Sequence, residues 1–222
     1  MSERKVSLAL GEFYHVYNRG NSKQIIFRDS GDYMRFQQML YAMNAVESVT
    51  FRLIENENMY MYDRGGLLVY IGAYCLMPNH FHILLTPAVE NGVQLFMQKL
   101  STGYSMYFNK KYERTGGLFE GRFKSEHVDS DEYLKYLFSY IHLNPLKLID
   151  SDWKEKGLQN VEGAERYLDT YRFSSYQEYM EKKRREASIL NRMHFPEFFP
   201  TKDSFVAEVQ EWLTYQSYKV RP

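Results

Sequence analysis

His80 and His82 are separated by a single phenylalanine. In an extended chain alternate side chains share a face, so the two imidazoles project together, about 6.5 to 7 Å apart, while Phe81, Ile83 and Leu85 point the other way. Neutral imidazoles at that spacing can converge on one metal ion. A bare His-x-His also suits a solvated strand face, but the flanks AYCLM and ILLTP are apolar and argue for a central strand, where two histidines need a reason. The strand by itself offers no third ligand. A second constellation lies in Tyr133 to Pro145. Leu134, Leu137, Phe138 and Ile141 form one stripe of a helix, while Tyr136, Tyr140 and Asn144, four residues apart, line another. That face presents a phenol and an amide oxygen side by side. Tyr136 and Tyr140 serve equally well as a reactive phenol on spacing, and the same residues also suit aromatic packing with Asn144 as a cap before proline.

Elements that would position these groups are readable along the chain. Residues 12–18, EFYHVYN, have strand composition and close on Arg19, Gly20 and Asn21 as a turn. Asp29 or Ser30 offers an N-cap to a helix carrying Met34, Phe36, Met39, Leu40 and Met43. Residues 50–53 read as a strand that loses its pattern, and 67–76 and 80–85 as two strands broken by Met77-Pro78-Asn79. Val93, Phe96, Met97, Leu100, Tyr104 and Tyr107 predict a long amphipathic helix over 91–112. Residues 119–128 alternate like a strand, and Ser130 caps a helix that stops at Asn144-Pro145. Beyond it, 146–173 read as loop-rich, 174–190 as a basic helix and 203–218 as a terminal helix. This order predicts an α+β fold, an antiparallel sheet with helices packed on one face.

Composition narrows the class without choosing a function. The 222 residues, 44% hydrophobic and 25% charged, suit one full-sized core with an appendage. The single cysteine, Cys75, forms no internal disulfide, the first residues lack a signal-peptide pattern, and no apolar run reaches membrane-spanning length, so the expected compartment is the cytoplasm with no membrane partner. Lys plus Arg and Asp plus Glu number 28 each, so any attraction to nucleic acid must be local. No internal repeat or low-complexity linker is present.

Taken together, the runs YHVYNRGN, GAYCLMPNHFHILLTP, GGLFEGRFKS, YIHLNP and YRFSSY resemble the tyrosine HUH transposases that act on single-stranded DNA, and within them the REP-associated tyrosine transposases. The resemblance spans about Phe13 to Tyr179 with the motifs in family order. Asn144 followed by Pro145 is similar to the REP-associated branch, where the insertion-sequence relatives usually carry Gln. The resemblance implies a ferredoxin-like fold with a C-terminal helical extension, a catalytic domain over residues 1–180 and a tail over 181–222. It implies that His80 and His82 are the HUH histidines, Asn144 the third ligand of a divalent metal (Mg²⁺ or Mn²⁺), and Tyr140 the nucleophile. The implied activity is that of a sequence- and hairpin-specific single-stranded DNA endonuclease and strand transferase, a transposase, passing through a 5′-phosphotyrosine and leaving a free 3′-hydroxyl. Two histidines would also take Zn²⁺, Ni²⁺ or Co²⁺. Members work as monomers or homodimers.

The local charge needed for DNA is present in two stretches. Residues 99–126 carry Lys99, Lys110, Lys111, Arg114, Arg122 and Lys124 against Glu113, Glu120 and Glu126, a net +3, and residues 182–192 carry a net +4. Arg122 and Lys124 alternate with Phe123 in a matched motif, Arg19 lies in another, and with Lys99 these are the expected DNA contacts. Two other function classes fit the same residues: a module that grips hairpin nucleic acid without cutting, and a metal-dependent phosphodiesterase using water in place of Tyr140.

Overall fold

The computed structural model describes residues 8–50, 54 and 56–214. Strands β1 (Phe13–Arg19), β2 (Val69–Met77), β3 (His80–Pro87) and β4 (Lys124–Val128) form one antiparallel sheet in the order β2-β3-β1-β4. Helix α1 (Ser30–Ala42) connects β1 to β2, and α2 (Gly92–Lys111) connects β3 to β4. This βαββαβ order with β1 and β3 in the centre is the ferredoxin-like arrangement the resemblance implied. The Thr50–Leu53 strand reading lies largely outside the described residues.

Two of the helices begin where a short polar side chain replaces a missing backbone partner. The Asp29 carboxylate accepts from the Asp32 amide at 3.0 Å, and Ser130 Oγ accepts from the Tyr133 amide at 3.2 Å to start α3 (Asp131–Leu143). Helices α1 and α2 cover one sheet face, with Phe36, Leu40, Phe96 and Leu100 packing on Val16, Phe81, Ile83 and Leu85. The crossover helices thus share a face as expected. The opposite face is not bare, because α3 lays Leu134, Leu137, Phe138 and Ile141 against Ala73, Cys75, Met77 and Leu84.

The chain after α3 is more ordered than its composition suggests. Residues 146–173 contain α4 (Trp153–Lys156) and α5 (Val161–Thr170), the latter burying Ala164 and Leu168. The basic helix expected over 174–190 is broken into the single turn α6 (Tyr176–Tyr179) and a 3-10 turn over Arg185–Ile189, because Glu181 takes a left-handed φ of 57° and Arg184 turns inward to Glu178. Residues 173–175 bond along the free edge of β2, with the Leu76 amide donating to the Phe173 carbonyl and the Ser175 amide to the Tyr74 carbonyl, each at 2.9 Å. Further on, Phe195 packs against Gly72, where a Cβ would stand 2.7 Å from its ring. Phe199, Phe205, Val209 and Leu213, the last three on α7 (Lys202–Thr214), complete the core on the α3 side. The end of the predicted terminal helix, beyond 214, lies outside the described residues.

Candidate functional site

Strand register sets the site out as three rows on the α3 side of the sheet. Ala73, Leu84, His15 and Glu126 form one row, Cys75, His82, Tyr17 and Lys124 the next, and Met77, His80 and Arg19 the third. In each row the residues on β2 are apolar or thiol and lie beneath α3, while those on β1 and β4 are polar. The histidines therefore stand where the covered part of the face ends and the open part begins.

His80 and His82 present their rings 5.0 Å apart at right angles. Each is held through one nitrogen. His80 Nδ1 lies 2.6 Å from Asn79 Oδ1, to which it donates, leaving Nε2 free to offer a lone pair. His82 Nδ1 lies 2.8 Å from His15 Nε2, and the other ring nitrogen of His15 is 3.7 Å from Glu126. A proton shared from His82 Nδ1 to His15 Nε2 likewise leaves His82 Nε2 as a lone-pair donor. Burial holds His80 down to about 4, with Lys147 and Arg19 adding to the effect, and burial beside His15 and His80 holds His82 well below the usual imidazole range. Both are neutral at neutral pH, as metal ligands must be.

Helix α3 brings Tyr140 to this pair. Its ring is 5.5 Å from His82 and 6.0 Å from His15, and it borders a cavity of about 600 Å³ together with His80, Arg19, Arg122 and Lys124. Tyr136, equivalent on spacing, packs instead on Trp212 at 5.2 Å and makes no ring contact with either histidine. Asn144 is buried at the end of α3. Its Nδ2 donates to the Tyr140 carbonyl at 2.9 Å, and its Oδ1 is buried without a hydrogen-bond partner. An orphaned amide oxygen costs free energy unless something accepts its lone pairs, and a cation does so. Among the described residues no group of three His, Cys, Asp or Glu forms a metal cluster, so two imidazoles plus this amide are the donor set on offer. Those residues fit a divalent ion that keeps open coordination positions.

Burial raises the Tyr140 phenol above its ordinary value, Glu126 adding to the shift and the Asn144 amide opposing it. Lys154 Nζ lies over the Tyr140 ring at 4.2 Å, and Lys147 Nζ at 5.9 Å. Lys154 has no hydrogen bond or ion pair among the described residues, and burial, reinforced by Lys147, brings it down to about 8. Neither lysine, nor His15, Tyr17 and Asn79, was singled out from sequence. His15, Tyr17 and Arg19 alternate on β1, which was signal enough for a shared face; Lys154 enters through the fold alone.

The expected DNA contacts divide. Arg19, Arg122 and Lys124 line the large cavity together with Lys23, and Arg19 Nε pairs with Glu120 at 2.5 Å. Lys99 does not reach it, because its ammonium on α2 donates to the carbonyls of Ala45, Val46 and Glu47 at 2.6 to 3.2 Å. Much of the 182–192 stretch is also committed internally. Lys182 pairs with Asp169, Arg184 with buried Glu178 and the carbonyls of Arg172 and Ser174, and Arg192 covers the Tyr179 ring.

His80, His82 and Tyr140 border one cation-lined cavity, and the orphaned amide of Asn144 lies one helical turn beyond the phenol. Residues 66–144 match the IS200-like transposase family. The match to this family supports a DNA-processing enzyme. The IS200-like segment runs from just before β2 to the end of α3, so it contains His80, His82, Tyr140 and Asn144, while His15, Arg19 and Lys154 lie outside it. Among solved structures, the chain is similar to a REP-associated tyrosine transposase bound to a REP hairpin, at 12% identity over 82% of this chain and 86% of that one, with a TM-score of 0.48. No curated protein matches. No described helix is long and apolar enough to cross a membrane.

Proposed function

We propose that this protein cleaves and rejoins single-stranded DNA beside a hairpin, with Tyr140 as the nucleophile. The observation that carries this reading is the meeting of Tyr140 with His82, at 5.5 Å between rings, on the border of the cavity formed by Arg19, Arg122 and Lys124. The cations hold the backbone phosphates of the strand across the sheet face. Tyr140 Oη attacks phosphorus, the bond to the 3′ oxygen breaks, and that oxygen leaves as a hydroxyl after taking up a proton. The phosphotyrosine keeps the phosphodiester energy, so a later attack by a 3′-hydroxyl rejoins a strand and frees the phenol. His80, His82 and Asn144 would hold a divalent ion, Mg²⁺ or Mn²⁺, which supplies charge to polarise and orient the scissile phosphate. Asn79 and His15 fix the two imidazoles, and Lys154 places a cation against the ring that becomes a phenolate.

The test is incubation of the protein with Mn²⁺ and labelled single-stranded hairpins, followed by denaturing electrophoresis. The expected result is a covalent protein-DNA band that vanishes in Tyr140→Phe and persists in Tyr136→Phe. Cleavage without an adduct, surviving in Tyr140→Phe, would make the protein a phosphodiesterase using water. Binding without cleavage would make it a hairpin-binding module. Loss of the band in Tyr136→Phe alone would move the nucleophile one turn back.

A further inference from the structure

The row that ends at Glu126 opens a second cavity beside the first. It encloses about 320 Å³ between the β1-β4 side of the sheet and α3, with Tyr17 and Glu126 below and Tyr133, Tyr136 and Tyr140 on the helix wall. Tyr17, His82 and Tyr140 border both cavities, so the two open on either side of the candidate nucleophile. Their chemistry differs. The larger one is lined by Arg19, Lys23, Arg122 and Lys124, with its one carboxylate, Glu120, paired to Arg19, whereas the smaller has a carboxylate among phenol rings and no lysine or arginine in its lining. A carboxylate repels phosphate, so a strand crossing the site cannot run its backbone through this space; aromatic faces and a fixed acceptor suit a base.

The carboxylate is built into place. Tyr17 Oη donates to Glu126 Oε1 at 2.8 Å and Tyr133 Oη to Oε2 at 3.4 Å, with His15 Nδ1 3.7 Å away. Each oxygen keeps a lone pair for a further donor. His15, Tyr17 and Tyr133 hold Glu126 ionised, down to about 2. It is thus an acceptor and never a donor at working pH.

Resting on the single-strand reading above, we infer that this cavity receives an unpaired nucleobase next to the scissile phosphate and that Glu126 reads N–H donors on its Watson–Crick edge. Guanine fits best, because N1–H and the 2-amino group lie side by side and match the two carboxylate oxygens, whereas thymine turns carbonyl oxygens towards them. Tyr133 and Tyr136 supply the stacking faces. Glu126 is then a specificity residue, distinct from any part it plays in orienting His15.

The experiment uses the full chain in EDTA, so that neither cleavage nor metal affinity enters. Ten-nucleotide dT strands carrying one central dG, dC, dA or deoxyinosine are compared with all-dT by fluorescence anisotropy. The dG strand is expected to bind roughly tenfold more tightly than all-dT, with inosine, which lacks the 2-amino donor, in between. In Glu126→Gln and Glu126→Ala the preference for dG falls below about twofold while all-dT binding is kept or strengthened. A preference for dC or dA, lost in the same variants, would keep the carboxylate readout and overturn the choice of guanine. Equal binding of every strand by the unaltered protein, or a dG preference that survives in both variants, overturns the inference and leaves the proposed function standing. Loss of all-dT binding with the preference assigns Glu126 a structural role and also overturns it. Absence of any single-strand binding by the unaltered protein overturns both readings.

Discussion

The ammonium of Lys154 lies 4.2 Å from the centre of the Tyr140 ring, with Lys147 next to reach it at 5.9 Å. With Lys154 brought down to about 8 and the phenol raised above its ordinary 10, the first proton to leave the pair on raising the pH comes from the lysine. The reactive state has one proton fewer than the fully protonated pair, whether written as amine plus phenol or ammonium plus phenolate. Adduct formation is therefore expected to rise about tenfold per pH unit up to about 8 and then to level off. In Lys154→Met the rise continues past pH 10, since only the phenol remains to ionise, and at pH 8 the single-turnover rate falls by about 10² or more. Unchanged rates and an unchanged profile in Lys154→Met would remove the lysine from the reaction.

If His80, His82 and Asn144 hold the proposed ion, His15 acts on it through His82. Replacing it with Ala removes the partner of His82 Nδ1 and frees that ring to turn or change tautomer. Mn²⁺ affinity, measured calorimetrically without DNA, is expected to fall by about 10- to 100-fold, the usual loss when a ligating histidine loses the group that orients it. Hairpin binding in EDTA stays close to that of the unaltered protein.

Arg122 and Lys124 contact phosphate if the cavity is the strand's path. Each Ala variant should then lower the slope of log K against log salt by about 0.7, one single-strand phosphate contact. A slope unchanged in both would take the strand off this cavity.

Lys99 predicts the opposite pattern. Its three carbonyl contacts fasten the 45–47 turn to α2. Lys99→Met is expected to lose about 1 to 3 kcal/mol of unfolding free energy in urea titration, with DNA affinity and salt slope unchanged.

Gly72 and Phe195 test how the C-terminal segment is anchored. Gly72→Ala drives a Cβ into the ring and should cost about 1 to 3 kcal/mol. In the Phe195→Ala background the same change should cost measurably less, because the two residues share one contact.

Local physics made much of this protein readable from its chain. The alternation around His80 and His82 fixes which face they share, because strand side chains repeat every two residues. Ser130 and Pro145 bound α3, because a cap and a missing N–H act within one turn. The four-residue spacing of Tyr136, Tyr140 and Asn144 follows from helical pitch. What spacing could not decide was which phenol meets the histidines, since that depends on how α3 crosses the sheet, and the crossing is set by Leu134, Leu137, Phe138 and Ile141 packing on β2 and β3. Nor could charge counting separate Arg122 and Lys124, which face an open cavity, from Lys99 and Arg184, which are spent on carbonyls and a buried carboxylate. The Arg19–Glu120 pair and the Lys154 contact on Tyr140 join residues of separate elements. Their partners exist only once the sheet and its two helical layers are assembled, so tertiary structure alone assigned them.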